Sequence, residues 1–141
     1  MLTWVGGALV YAQIVFGALI THAGWMALHL LGAVAVFVFV PIVTARLRRT
    51  DDAVAAPMAR VLVVLLGVQL VLGVGSFVAR FTSIWIPGGQ VTMLALPVAH
   101  RLVGSLILGA MVAAAVRVLG AVAAPREQTV STHPVLRPVR G

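Results

Sequence analysis

The sequence contains no cysteine and no lysine, and its only acidic residues are Asp51, Asp52 and Glu127. Without cysteine there can be no disulfides, thiolate metal sites or cysteine nucleophiles. None of the long apolar runs holds a carboxylate, which counts against an ion-coupled transporter or proton pump, since these normally use one. Charged residues are 9% of the chain against 62% hydrophobic, with a mean hydropathy of +1.13. A soluble domain of 141 residues would not leave so little charge for its surface. The solvent is therefore lipid.

What charge there is comes from ten arginines, for a net charge of +7. In a soluble chain that balance would suggest nucleic acid. Here the arginines gather at segment ends and read as orientation signals, so no nucleic-acid partner is expected. Four apolar runs, about residues 2–21, 25–44, 59–79 and 94–116, each approach the ~20 residues that a helix needs to cross a bilayer. Only helices satisfy every backbone polar group within one segment in lipid, so an all-α polytopic membrane four-helix bundle is expected. The first run lacks a basic leader and is too long for a signal peptide, so it is expected to be retained. Arg46, Arg48 and Arg49 lie between the second and third runs, and Arg117, Arg126, Arg137 and Arg140 follow the fourth. By the positive-inside rule both termini face the cytoplasm of a prokaryotic cytoplasmic membrane. Trp4 then marks the inner interface, and Trp25 and Trp85 the outer one. Residues 1–120 form the transmembrane domain. Residues 121–141, with three prolines and no apolar periodicity, read as a flexible cytoplasmic tail in which His133 is solvated.

Two histidines interrupt the apolar runs. His29 precedes Arg46 by 17 residues, and His100 precedes Arg117 by the same number. At 1.5 Å per residue both lie about 25 Å from the basic face of a hydrocarbon layer ~30 Å thick. An ionisable group at such depth needs a partner and is a candidate functional residue. Two imidazoles at equal depth suggest a shared one, with haem iron the leading candidate. The alternative is that interhelical hydrogen bonds satisfy each ring. The segment from Leu9 to Gly17 resembles that from Leu65 to Gly73, each preceding a histidine-bearing run. Two tandem two-helix repeats about an axis along the membrane normal follow.

Gly32 and Gly104 come one turn after His29 and His100, where a missing side chain would let a flat macrocycle lie against the helix; close helix packing is the plainer alternative. Arg80 and Arg101 fall on the outer side, against the charge trend. They are candidates for pairing with haem propionates, Arg101 the better placed because it adjoins His100, with snorkelling the alternative for Arg80. His22, at the outer end of the first run, is either interfacial or a partner near the site. Gln13 and Gln69 are expected to bridge helices by hydrogen bonds rather than to bind metal. The loop 81–93 reads as an interfacial flap, with Pro97 near the start of the fourth helix. His29 follows a tight turn and His100 follows this loop, so His100 is expected to be the more labile ligand.

The stretch from Tyr11 to Gly24, the Ala27-Leu28-His29 segment, the Gln69…Gly73 element and Ala99-His100-Arg101-Leu102-Val103-Gly104 together resemble the haem A synthase family of cytochrome oxidase assembly proteins. Members usually carry eight spans as two similar four-helix halves, each presenting a histidine pair from its second and fourth helices. The present chain is similar to one half, from about Val5 to Arg117. The resemblance implies haem b as cofactor, or haem O and haem A as substrate and product, and oxidation of the haem O methyl to a formyl. A single half offers one site, so a homo-oligomer or second membrane subunit is implied, with haem O synthase or a terminal oxidase as further partners. The chain departs from the family at Met26, where a glutamate usually stands one turn before the histidine; Pro97 holds the equivalent place before His100. That departure leaves two further readings open: a non-enzymatic haem carrier or electron-transfer module, and a structural subunit of a membrane complex. The catalytic residues stay unassigned.

Overall fold

A computed structural model describes residues 2–23, 25–50, 52–83 and 87–123. The His22 side chain, Trp85 and the tail from residue 124, including His133, lie outside the described residues. The fold is all-helical: α1 (Leu2–Ala23), α2 (Met26–Leu47), α3 (Ala55–Phe81) and α4 (Gly89–Ala123). All four helices are long and apolar enough to cross a membrane. Each packs against its neighbours in sequence, and α4 closes the ring against α1, while the backbones of the diagonal pairs α1/α3 and α2/α4 stay apart.

The helices overrun the apolar segments because a helix need not stop where the hydrocarbon stops. At the start of α3 the Asp52 carboxylate accepts the Val54 N–H (2.8 Å) and the Asp52 carbonyl accepts that of Ala55 (3.1 Å). This turn leads the chain into the helix. Pro57 falls in the first turn, where its missing N–H costs nothing. The expected 81–93 loop shrinks to 82–88, because α4 begins at Gly89 and Pro97 lies inside it. Gly88 (φ 88°) and Gly89 (φ 52°) turn the chain through the left-handed region that favours glycine. The Thr92 hydroxyl fastens that turn by donating to the Pro87 carbonyl at 2.8 Å. At its other end α4 runs past Arg117 to Ala123, three residues into the expected tail.

The start of α1, the 48–54 loop and the end of α4 share one end of the bundle, hereafter the basic end. Arg117 there donates to Asp52 through Nε (2.8 Å) and a terminal nitrogen (2.9 Å) in a forked pair. The core is lopsided. Val10, Val36, Val40, Val43, Leu47, Ala55, Ala59, Leu62, Leu66, Ile107, Met111 and Ala114 form one buried cluster, all from mid-bundle to the basic end. In the far half Ala79 is the one buried hydrophobic residue among those described.

This division gives a stability test. Met111 is completely buried, so Met111→Ala should cost about 2–5 kcal/mol in unfolding from detergent micelles. Val91→Ala, at the open end of the same helix where Val91 is 75% exposed, should cost less than about 0.5 kcal/mol. Equal losses would refute the lopsided core.

The loop carries a pH test. The hydrogen bonds from Arg117 hold the Asp52 carboxyl below its ordinary range. A depressed carboxyl contributes stability above its ordinary value and loses it as pH falls through the folded value. The wild type should therefore melt slightly above Asp52→Asn at pH 7. The gap should close as the pH falls below about 4. A gap that stays constant into acid would show that the ion pair is not its cause.

Candidate functional site: a histidine pair at the bundle centre

α2 and α4 are diagonal partners whose backbones do not meet, yet His29 and His100 meet across the middle of the bundle. Their ring centroids are 6.4 Å apart, with planes at 73°. Both rings are half-buried. Equal spacing from Arg46 and Arg117 placed them at one level, and the level is shared.

Each ring is held by a glutamine and a glycine from the adjacent helix. Gln13 on α1 directs its amide nitrogen at His29: 3.1 Å from Nδ1, 3.4 Å from Nε2, and donating to the His29 carbonyl at 2.7 Å. Gln69 on α3 directs its amide nitrogen at His100 Nε2, at 3.3 Å. One turn further along, Gly17 and Gly73 face the same rings. A Cβ on Gly17 would stand 3.1 Å from His29 Cε1, and a Cβ on Gly73 would stand 3.1 Å from His100 Cε1. Any side chain there would push the imidazole away. The glutamines need room in turn, and Gly32 and Gly104 supply it: a Cβ on Gly32 would collide with Gln13 Oε1, and one on Gly104 would stand 3.2 Å from Gln69 Nε2.

The glutamines therefore do bridge helices, α1 to α2 and α3 to α4. Gly32 and Gly104 lie next to the histidine pair, and the space beside them is taken by glutamine amides. Gly17 and Gly73, which the sequence marks as repeat and helix-packing glycines, are the ones in contact with the histidines. The signal was there: Gln13-to-Gly17 and Gln69-to-Gly73 are both four residues, so each pair shares a helix face.

The two rings are not held alike. The loop expected before His100 is short, and His100 lies well inside α4, so loop opening gives it no special lability. The hydrogen bonds do differ. Gln13 is tied to the backbone of its histidine as well as to the ring, whereas Gln69 makes one longer contact. His100 Nδ1 is buried without a partner, as are Gln13 Oε1, Gln69 Oε1 and Ser76 Oγ. A buried polar atom left unpaired costs about 1–3 kcal/mol, which a bound ligand can recover.

Arg101 and Arg80 are both exposed. Neither forms an ion pair with a described acidic residue, since Asp52 is engaged by Arg117. Among the described residues no group of three or more histidine, cysteine or carboxylate side chains is gathered. The donor set is two imidazoles. No family model, curated protein or solved structure matches the chain.

The glycine contacts are testable. Gly73→Val should destabilise the protein by roughly 1–3 kcal/mol, the usual cost of overpacking. Gly7→Ala, at a helical position where a Cβ meets nothing within 4 Å, should instead stabilise by up to about 1 kcal/mol. Thermal unfolding of both variants in one detergent measures the contrast, and a tolerated Gly73→Val would mean His100 is not seated on α3.

Proposed function

We propose that this chain is a membrane haem-binding protein of the haem A synthase type, in which His29 and His100 would hold one b-type haem. The observation that carries the reading is the meeting of two imidazoles from diagonal helices, 6.4 Å apart, in the half of the bundle that lacks a tight core. A metal held between two imidazole nitrogens at about 2 Å from each needs ring centres about 6 Å apart. Two imidazoles with no third protein ligand suit a metal that brings its equatorial ligands with it, as haem does. The unpartnered His100 Nδ1 fits the same reading, because that ring has hydrogen-bonding capacity to spare.

The haem would supply reversible one-electron chemistry. The chain's own residues would do the rest: Gln13 and Gln69 orient the rings, Gly17 and Gly73 give the rings room, and Arg101 or Arg80 holds a propionate by snorkelling back to the rim. The matching Gln–Gly–His contacts of α1/α2 and α3/α4 favour two tandem repeats about an axis along the membrane normal. With the basic end in the cytoplasm, the haem lies nearer the outer face. The implied reaction oxidises the haem O methyl to a formyl, with water as oxygen donor and the electrons passing to an acceptor. A second copy or second subunit would complete a two-site assembly.

One observation favours a non-enzymatic haem carrier or electron-transfer module instead. Met26 opens α2 one turn before His29, and no carboxylate stands in any of the four described helices. An acid–base step at the haem edge would have to find its proton acceptor elsewhere.

Reduced-minus-oxidised spectra of the purified protein test haem binding. Wild type should show b-type bands and His29→Ala should lose them. His100→Ala should retain part of the haem as a five-coordinate, high-spin form, because Gln13 holds His29 the more firmly. Absent bands in wild type, or full bands in both variants, would end the haem reading. Loss of haem A with accumulation of haem O in cells lacking the gene would favour the enzyme, and an unchanged haem profile the carrier.

A further inference from the structure

The basic end carries a feature that the haem reading leaves unused. Between the start of α1 and the ends of α2 and α4 lies an open cleft of about 210 Å³. Leu2, Val43, Leu47 and Val118 make its walls largely apolar, and Arg46 is its one charged lining residue. Thr3 and Thr50 complete the lining, so the cleft pairs apolar walls with a polar edge. Leu2 begins α1 and Leu47 ends α2, so the cleft opens at the level where hydrocarbon gives way to headgroups. Charge points the same way. Arg46, Arg48, Arg49 and Arg60 surround this end, while Asp52, the acidic residue among those described, is already taken by the forked pair with Arg117. The positive charge at the mouth is thus uncompensated by described residues.

We propose that this cleft binds one anionic phospholipid, its phosphate on the Arg46 guanidinium and the upper methylenes of an acyl chain between Leu2, Val43, Leu47 and Val118. Arg46 suits the role because a guanidinium donates two parallel hydrogen bonds to a phosphate. Basic pockets between membrane helices on this side are sites where anionic headgroups gather. The site joins α1, α2 and α4, so an occupant braces the ring where α4 closes on α1. The proposal requires only that the helices span a membrane and is independent of haem.

Native mass spectrometry of the full chain, released from micelles containing equal amounts of phosphatidylglycerol and phosphatidylcholine with matched acyl chains, tests it. The expected result is one phosphatidylglycerol retained in preference to phosphatidylcholine. Arg46→Gln should weaken that retention about fivefold, the worth of one arginine beside an anionic headgroup. Arg60→Gln, outside the cleft, should change it less than twofold. Val118→Phe fills the cleft at constant charge and should displace the lipid. If Val118→Phe does not fold, the Arg46/Arg60 contrast decides alone. Equal retention of the two lipids, or equal losses in Arg46→Gln and Arg60→Gln, overturns the proposal. Full competition by millimolar inorganic phosphate overturns it too, by assigning the cleft to a free anion.

Discussion

In a hydrocarbon layer a ring nitrogen has no water to turn to, so the imidazoles of this bundle depend on partners supplied by the chain. The partners are glutamines, which offer a donor and an acceptor without a charge to desolvate. That requirement sets much of the local sequence. A glutamine that reaches its histidine from the next helix needs a glycine opposite to admit its amide, and the histidine needs a glycine beneath its ring. Gln13, Gly17, His29 and Gly32 meet these demands on α1 and α2. Gln69, Gly73, His100 and Gly104 meet them on α3 and α4. The two sets are alike in composition and unequal in strength, since only Gln13 also binds its partner's backbone.

The rings can occupy the centre because the helices are fixed elsewhere. Leu62, Ile107, Met111, Val40 and Val43 are almost completely buried at mid-bundle and below, and the forked pair of Arg117 with Asp52 ties the end of α4 to the α2–α3 loop. Packing at protein-interior density fixes side chains and backbone together. Confining the dense core to the basic end keeps the register of four helices while leaving the far half free to adapt.

The four spans were legible because hydrophobic length alone reveals them. Their ends were not: Asp52 and Pro57 extend α3 backwards, and the Gly88-Gly89 turn starts α4 well before the apolar run. The level shared by His29 and His100 could be counted along two helices. Their seating could not, because spacing within a helix tells which residues share a face but not what the neighbouring helix puts against it. The lopsided core was equally hidden. In a chain apolar on every side, Leu62 and Leu70 read alike, although Leu62 is completely buried and Leu70 half exposed. Lipid removes the contrast between polar and apolar faces from which burial is usually inferred.

The position of the core along the chain also bears on how the molecule is built. Eight of its twelve residues come from α2 from Val36 onward and from the first half of α3, the two stretches joined by the 48–54 loop. Contacts close in sequence form at little entropic cost and therefore early. Of the two helix pairs available before α4 has been made, α1/α2 is the more extensive, so a growing chain closes that hairpin first and α3 joins it. The histidine half closes last, when α4 docks and brings His100 to a His29 that Gln13 has already set in place. The two imidazoles therefore meet only in the last step of assembly.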